Sequence, residues 1–90
     1  VEFVWRENNV EHLAKHGILP REAEYIVESA RPPYPQMIGD DKRIVIGRLR
    51  DGRFVQVIYV PSRANVSAVY VMHARELTDR EKRRLRRRSR

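Results

Sequence analysis

Arg43-Ile44-Val45-Ile46-Gly47-Arg48-Leu49-Arg50-Asp51-Gly52-Arg53-Phe54-Val55-Gln56-Val57-Ile58-Tyr59-Val60 decides the fold. Two arms rich in Val, Ile, Phe and Tyr flank Asp51-Gly52, a dipeptide that suits a type I′ turn because that turn needs positive φ at both central residues. A two-residue turn there sets Ile46 opposite Val57, Val45 opposite Ile58 and Arg50 opposite Arg53. After a loop from Pro61 to Asn65, Val66 to Arg75 reads as a third long strand, so the hairpin grows into an antiparallel meander.

Upstream of the hairpin the period is helical. Glu2-Phe3-Val4-Trp5 alternates polar and apolar side chains and predicts an opening strand. Asn8 or Asn9 can cap a short helix carrying Val10, Leu13 and Ala14 at helical spacing. Lys15 and His16 suit its negative end, and Gly17 supplies a left-handed stop. Leu19-Pro20 opens a second helix with Glu22 and Glu24 near its positive end and Ala23, Ile26, Val27 and Ala30 as its buried stripe. Arg31-Pro32-Pro33-Tyr34-Pro35 ends it, because proline disfavours helix in the residue before it. Downstream, Thr78-Asp79-Arg80-Glu81 matches a capping box, so a last helix is expected over about 78–88, with Leu77 and Leu85 as its anchors.

The order β-α-α-β-β-β-α predicts an α+β domain in which an antiparallel sheet carries helices on one face. Ninety residues at 41% hydrophobic content suffice for one core and not two, so residues 1–90 are expected to form a single domain. The absence of cysteine excludes a disulfide scaffold, a thiolate metal site and a cysteine nucleophile. No apolar run approaches the ~18 residues a membrane span needs, and no export signal is visible, so a cytoplasmic protein without a membrane partner is expected.

The formal net charge of +7 is local. From Arg80 to Arg90 there are eight basic side chains against one acid, Glu81, while residues 1–79 balance. A neutral body with an arginine-rich end fits a polyanionic partner, since the guanidinium fork suits phosphate. A solvated, self-repelling end is the bland alternative. Arg48, Arg80, Arg83, Arg84 and Arg87 are the expected RNA contacts.

Candidate chemistry is sparse. His12 and His16 are four apart and share a helix side with Asn9. The zinc-protease pattern needs a glutamate after the first histidine and finds Leu13, and no cluster of further ligands is visible. No metal and no cofactor are therefore expected, and His16 divides between a capping role and a functional one. His73 and Arg75, two apart on the last strand, are expected to project from one face with Ser67, Val69 and Val71. Histidine moves a proton near neutral pH and arginine stabilises charge on a phosphorane-like transition state. On spacing alone, a strand end whose polar side chains meet solvent is the simpler reading. Tyr59 and Tyr70 can stack on a base, or pack with the hydroxyl at the rim. Glycine-loop and nucleophile-elbow templates fail.

Five motifs in order resemble the BrnT-type toxins of bacterial toxin–antitoxin pairs. They are Phe3-Val4-Trp5 leading to a helix that ends Lys15-His16-Gly17-Ile18; Pro20-Arg21-Glu22-Ala23; Asp41-Lys42-Arg43-Ile44-Val45-Ile46-Gly47; Val71-Met72-His73-Ala74-Arg75; and Glu81-Lys82-Arg83-Arg84. His73 stands where that family has a serine, and Arg6 where it has an aspartate. The resemblance implies a fold similar to the RelE-type ribonucleases. It also implies a metal-independent RNA-cleaving toxin neutralised by a cognate antitoxin protein, as a homodimer or a hetero-oligomer with that antitoxin. By position it implicates His16, Arg43 and Arg75, so the expected catalytic set is His16, Arg43, His73 and Arg75. Arg43 and Arg75 would hold the scissile phosphate while His73 or His16 transfers protons. A non-catalytic module that binds nucleic acid or an acidic partner is the competing expectation.

Overall fold

The computed structural model describes residues 1–65 and 67–88. In chain order the elements are β1 (Glu2–Val4), α1 (Glu7–Lys15), α2 (Pro20–Glu28), β2 (Gln36–Ile38), β3 (Lys42–Arg48), β4 (Phe54–Pro61), β5 (Ala68–Glu76) and α3 (Asp79–Arg88). They form an α+β fold around one five-stranded sheet in the order β1-β5-β4-β3-β2. The sheet is mixed: β2 to β5 make an antiparallel meander, and β1 pairs with β5 in parallel. The three-residue strand β2 is an addition to the expected order. Val66, where the sequence reading starts the last strand, lies outside the described residues, and so do Ser89 and Arg90.

The central hairpin forms in a register one residue away from the expected one. Val45 faces Val57 and Ile46 faces Gln56. The turn explains the shift. Gly52 N–H donates to Leu49 C=O at 2.9 Å, and Leu49 N–H donates to Arg53 C=O at 2.8 Å. Only Gly52, at φ +98°, takes positive φ; Asp51 does not. This is the three-residue loop in which a type I turn ends in a left-handed glycine, in place of type I′. A one-residue slip decides which face each side chain takes, and here it sets Val45 beside Val57 in the core and leaves Ile46 on the other face.

Val45, Val55, Val57, Val71 and Ala74 are fully buried and meet Leu13, Ile18, Ala23 and Ile26 from the two N-terminal helices. Val27 and Ala30 pack against this cluster as the α2 stripe predicts, but Ala14 is exposed. Asn9 takes its place: it is 3% exposed, and its amide closes the junction of three elements. Its Oδ1 accepts from Arg6 N–H at 2.7 Å, and its Nδ2 donates to Val4 C=O at 3.0 Å and Val71 C=O at 3.2 Å. Asn9 is thus the third residue of α1, capping it backwards from within, and not the N-cap. Trp5 Nε1 donates to Glu24 at 2.7 Å, tying the end of β1 to α2.

Thr78 and Glu81 form the expected capping box at α3. Glu81 N–H donates to Thr78 Oγ1 at 3.2 Å and Thr78 N–H to the Glu81 carboxylate at 2.8 Å. Helices on one face describes α1 and α2. The third helix is drawn to the other side, where Leu77, Leu85 and Glu81 line a concavity with Ile46 and Tyr34. Among the described residues no helix is long and apolar enough to cross a membrane.

Candidate functional site: an imidazole cluster and an arginine-lined helix

The C-terminus of α1 is fixed by a Schellman pattern. Gly17 N–H donates to Ala14 C=O and Ile18 N–H to Leu13 C=O, with Gly17 at φ +72°. Leu13 and Ile18 flank this cap and are both buried, so the last turn of α1 is pinned to the core. His12 and His16 ride on that turn.

A bulge brings the third histidine. Ile58 pairs with His73 and Tyr59 with Val71, which leaves Met72 as an extra residue in β5. The extra residue breaks strict alternation, so Val71 and Ala74 are both buried although three apart. His73 and Arg75 therefore do not continue one polar face from Ser67. The His73 ring meets α1: its centroid lies 5.1 Å from His12 and 5.0 Å from His16, and those two are 5.5 Å apart. One nitrogen from each of the three rings lies within 4.8 Å of the others.

Nδ1 of His73 is buried without a hydrogen-bond partner. Burial first, then the charges of His16, His12 and Arg75, holds this imidazole below its ordinary pKa range. These surroundings favour the neutral ring, which carries a lone pair. Sequence reading placed His16 and His73 among the functional candidates and paired His12 with His16, but saw no further ligand beside that pair, where the structure brings His73. The four-residue spacing of His12 and His16 was the available signal, but nothing local shows that a bulge at Met72 returns a third ring 57 residues beyond His16.

The expected phosphate-binding arginines are placed differently. Arg75 makes a bidentate pair with Glu81, 2.7 Å on each arm, and also donates to Glu76 C=O. The pair holds Glu81 well below the usual carboxylate range, at about 2. Arg75 is thus a clamp between β5 and α3; taking a phosphate would mean giving up two charge-assisted bonds. Arg43 pairs with Tyr59 in the sheet register and donates to Asp41 C=O at 3.2 Å, with β4 between it and the strand of His73. Tyr59 is buried, which raises its hydroxyl pKa against the opposing charge of Arg43, so it packs in the core.

On the hairpin, Arg53 is consumed by Glu22, Asp51 and Gly17 C=O. Arg48 lies over the ring of Phe54 and Arg50 over that of Tyr25, each at 5.4 Å. The remaining predicted contacts gather on α3. Arg80, Arg83, Arg84 and Arg87 recur at helical spacing and line a concavity of about 280 Å³, and Arg84 also borders the concavity of Glu81 and Leu85. The chain matches no protein family, no curated protein and no solved structure.

Proposed function

We propose that the protein is a small ribonuclease that holds RNA on α3 and cleaves it at the imidazole cluster without a metal ion, in keeping with the toxin resemblance. The observation that carries this reading is the approach of His16 to His73, 5.0 Å between ring centroids, on two elements locked together by Asn9. Two imidazoles at such a separation can share acid–base work on one phosphodiester. One takes the proton of the ribose 2′-hydroxyl as its oxygen attacks the adjacent phosphorus. The 5′-oxygen leaves with a proton from the other, giving a 2′,3′-cyclic phosphate and a 5′-hydroxyl. No protein–RNA covalent bond is needed. The arginine stripe of α3 supplies sequence-independent affinity through phosphate neutralisation. Arg75 acts by holding α3 to β5, and not as a phosphate ligand.

The test is an RNA oligonucleotide with a single 2′-deoxy position at a mapped cleavage site. Loss of cleavage there alone, with cyclic phosphate on the remaining products, supports the reading. Cleavage of the 2′-deoxy linkage would overturn it.

One observation favours a second reading. Arg43, Arg53 and Arg75 are all engaged within the protein, so the arginines of α3 are the main group presented outward. That is the pattern of a module that docks RNA, or an acidic partner such as an antitoxin, without cutting. It predicts tight, salt-sensitive RNA binding and intact RNA.

A further inference from the structure

We infer that His12, His16 and His73 form a binding site for one divalent transition-metal ion of the zinc class. The inference goes beyond the ribonuclease reading and does not depend on it. His12 lies on α1 and His16 four residues on at its C-cap, and His73 enters from β5, so the ligands come from both sides of a junction. That junction is rigid: the Asn9 amide bonds to Val4 and Val71, and the Gly17 stop fixes the helix end.

The rings are arranged to converge. Their centroids form a nearly equilateral triangle of 5.0, 5.1 and 5.5 Å, and their planes are inclined at 56°, 58° and 64°, so none stacks on another. Ligands at ~2.0–2.1 Å from a tetrahedral centre stand about 3.4 Å apart. The candidate nitrogens lie within 4.8 Å of each other, so side-chain torsions need to draw them together by about 1.4 Å at most. His16 is exposed and His12 half-buried, which leaves both free to turn. The one buried side-chain atom without a hydrogen-bond partner among the described residues, Nδ1 of His73, belongs to this cluster.

The donor set selects the ion. Three imidazoles with no carboxylate in the cluster suit zinc, copper, nickel or cobalt and offer little to magnesium or calcium, which want oxygen. Three protein ligands also leave a fourth tetrahedral position open to water or an added anion.

Zinc titration of the untagged full chain, read by competition with a chromophoric chelator and without RNA, tests the site. One zinc ion per chain is expected, with affinity falling at least tenfold in both His73→Ala and His12→Ala. Cobalt should give the visible absorption of a tetrahedral centre in the wild type and lose it in the variants. His12→Ala changes a half-buried helix position and keeps the test decisive if His73→Ala fails to fold. Absence of zinc binding, or equal affinity in the wild type and His12→Ala, would overturn the site. Because RNA is left out, neither result bears on cleavage.

Discussion

Asn9 Nδ2 donates to the main-chain carbonyl of Val71 at 3.2 Å, and this bond joins the first helix to the strand that carries His73. The same amide reaches Val4, and its oxygen caps Arg6 N–H, so one side chain satisfies three backbone groups where β1, α1 and β5 meet. Asn9→Ala strands those groups in the interior. Leaving buried polar groups unpaired costs ~1–3 kcal/mol each, and partial rescue by water lowers the sum. A loss of about 2–4 kcal/mol is expected from urea denaturation, a large share of the stability of a domain this small. Any surviving folded fraction should also lose the alignment of His12 and His16 with His73.

The Arg75–Glu81 clamp makes a pH-dependent prediction. The Glu81 carboxyl sits at about 2 in the folded chain against 4.5 in the unfolded one, lowered chiefly by the Arg75 hydrogen bonds and then by Thr78 N–H. A depressed carboxylate contributes stability that is fully present above the unfolded pKa and lost as pH falls through the folded one. The difference in stability between wild type and Glu81→Gln should therefore be on the order of 1 kcal/mol at pH 7, as expected for a partly exposed pair with a capping role. It should shrink below about pH 4.5 and be mostly lost by about pH 2, where the folded carboxyl itself titrates. Thermal melts at pH 7, 4 and 2 check this. A difference that stays constant with pH would mean that the carboxylate charge plays no part.

RNA affinity should be set by α3. Replacing Arg83, Arg84 and Arg87 with alanine removes three charges from the arginine concavity, and among the described residues none of the three makes an ion pair. For single strands each neutralised phosphate contributes a slope of about −0.7 in log K against log salt, so the slope should flatten by about 2. Fluorescence anisotropy with a labelled oligonucleotide between 50 and 300 mM salt measures it. An unchanged slope would move the RNA to another surface.

Zinc and RNA cleavage should compete, on the combined ribonuclease and metal-site readings. A metal ion on His12, His16 and His73 takes the lone pairs that proton transfer uses. Zinc at saturating concentration should then suppress cleavage, and EDTA should restore it. Stimulation by zinc would reverse the relation, with the ion as the catalyst.

How much of this was legible from sequence divides along a physical line. Local features were readable: the Thr78–Glu81 capping box, the Gly17 stop and the two arms of the hairpin all depend on residues a few positions apart. The hairpin register was not, because Asp51-Gly52 serves a type I′ turn and a type I turn with a left-handed glycine equally well. Strand β2 escaped because Gln36, Met37 and Ile38 are all exposed at the sheet edge and carry no alternation. The parallel pairing of β1 with β5 joins residues 66 apart, such as Glu2 and Ala68, beyond any local signal. The site depended on the same kind of information. His16 and His73 could be singled out as residue types, but their meeting follows from a bulge at Met72 that tertiary packing selects. Arg75 entered the catalytic set through the resemblance, not through its spacing from His73, and its commitment to Glu81 became visible only once α3 had turned back.

The most direct test of the central claim is cleavage of a structured RNA in excess EDTA by wild type, His16→Ala and His73→Ala, with folding checked by circular dichroism. The account predicts metal-free cleavage by the wild type and a loss of about 10²-fold or more in either variant, the usual contribution of a positioned acid or base, with RNA binding retained. Cleavage in the folded variants at the wild-type rate, or intact RNA with the wild type, would contradict it.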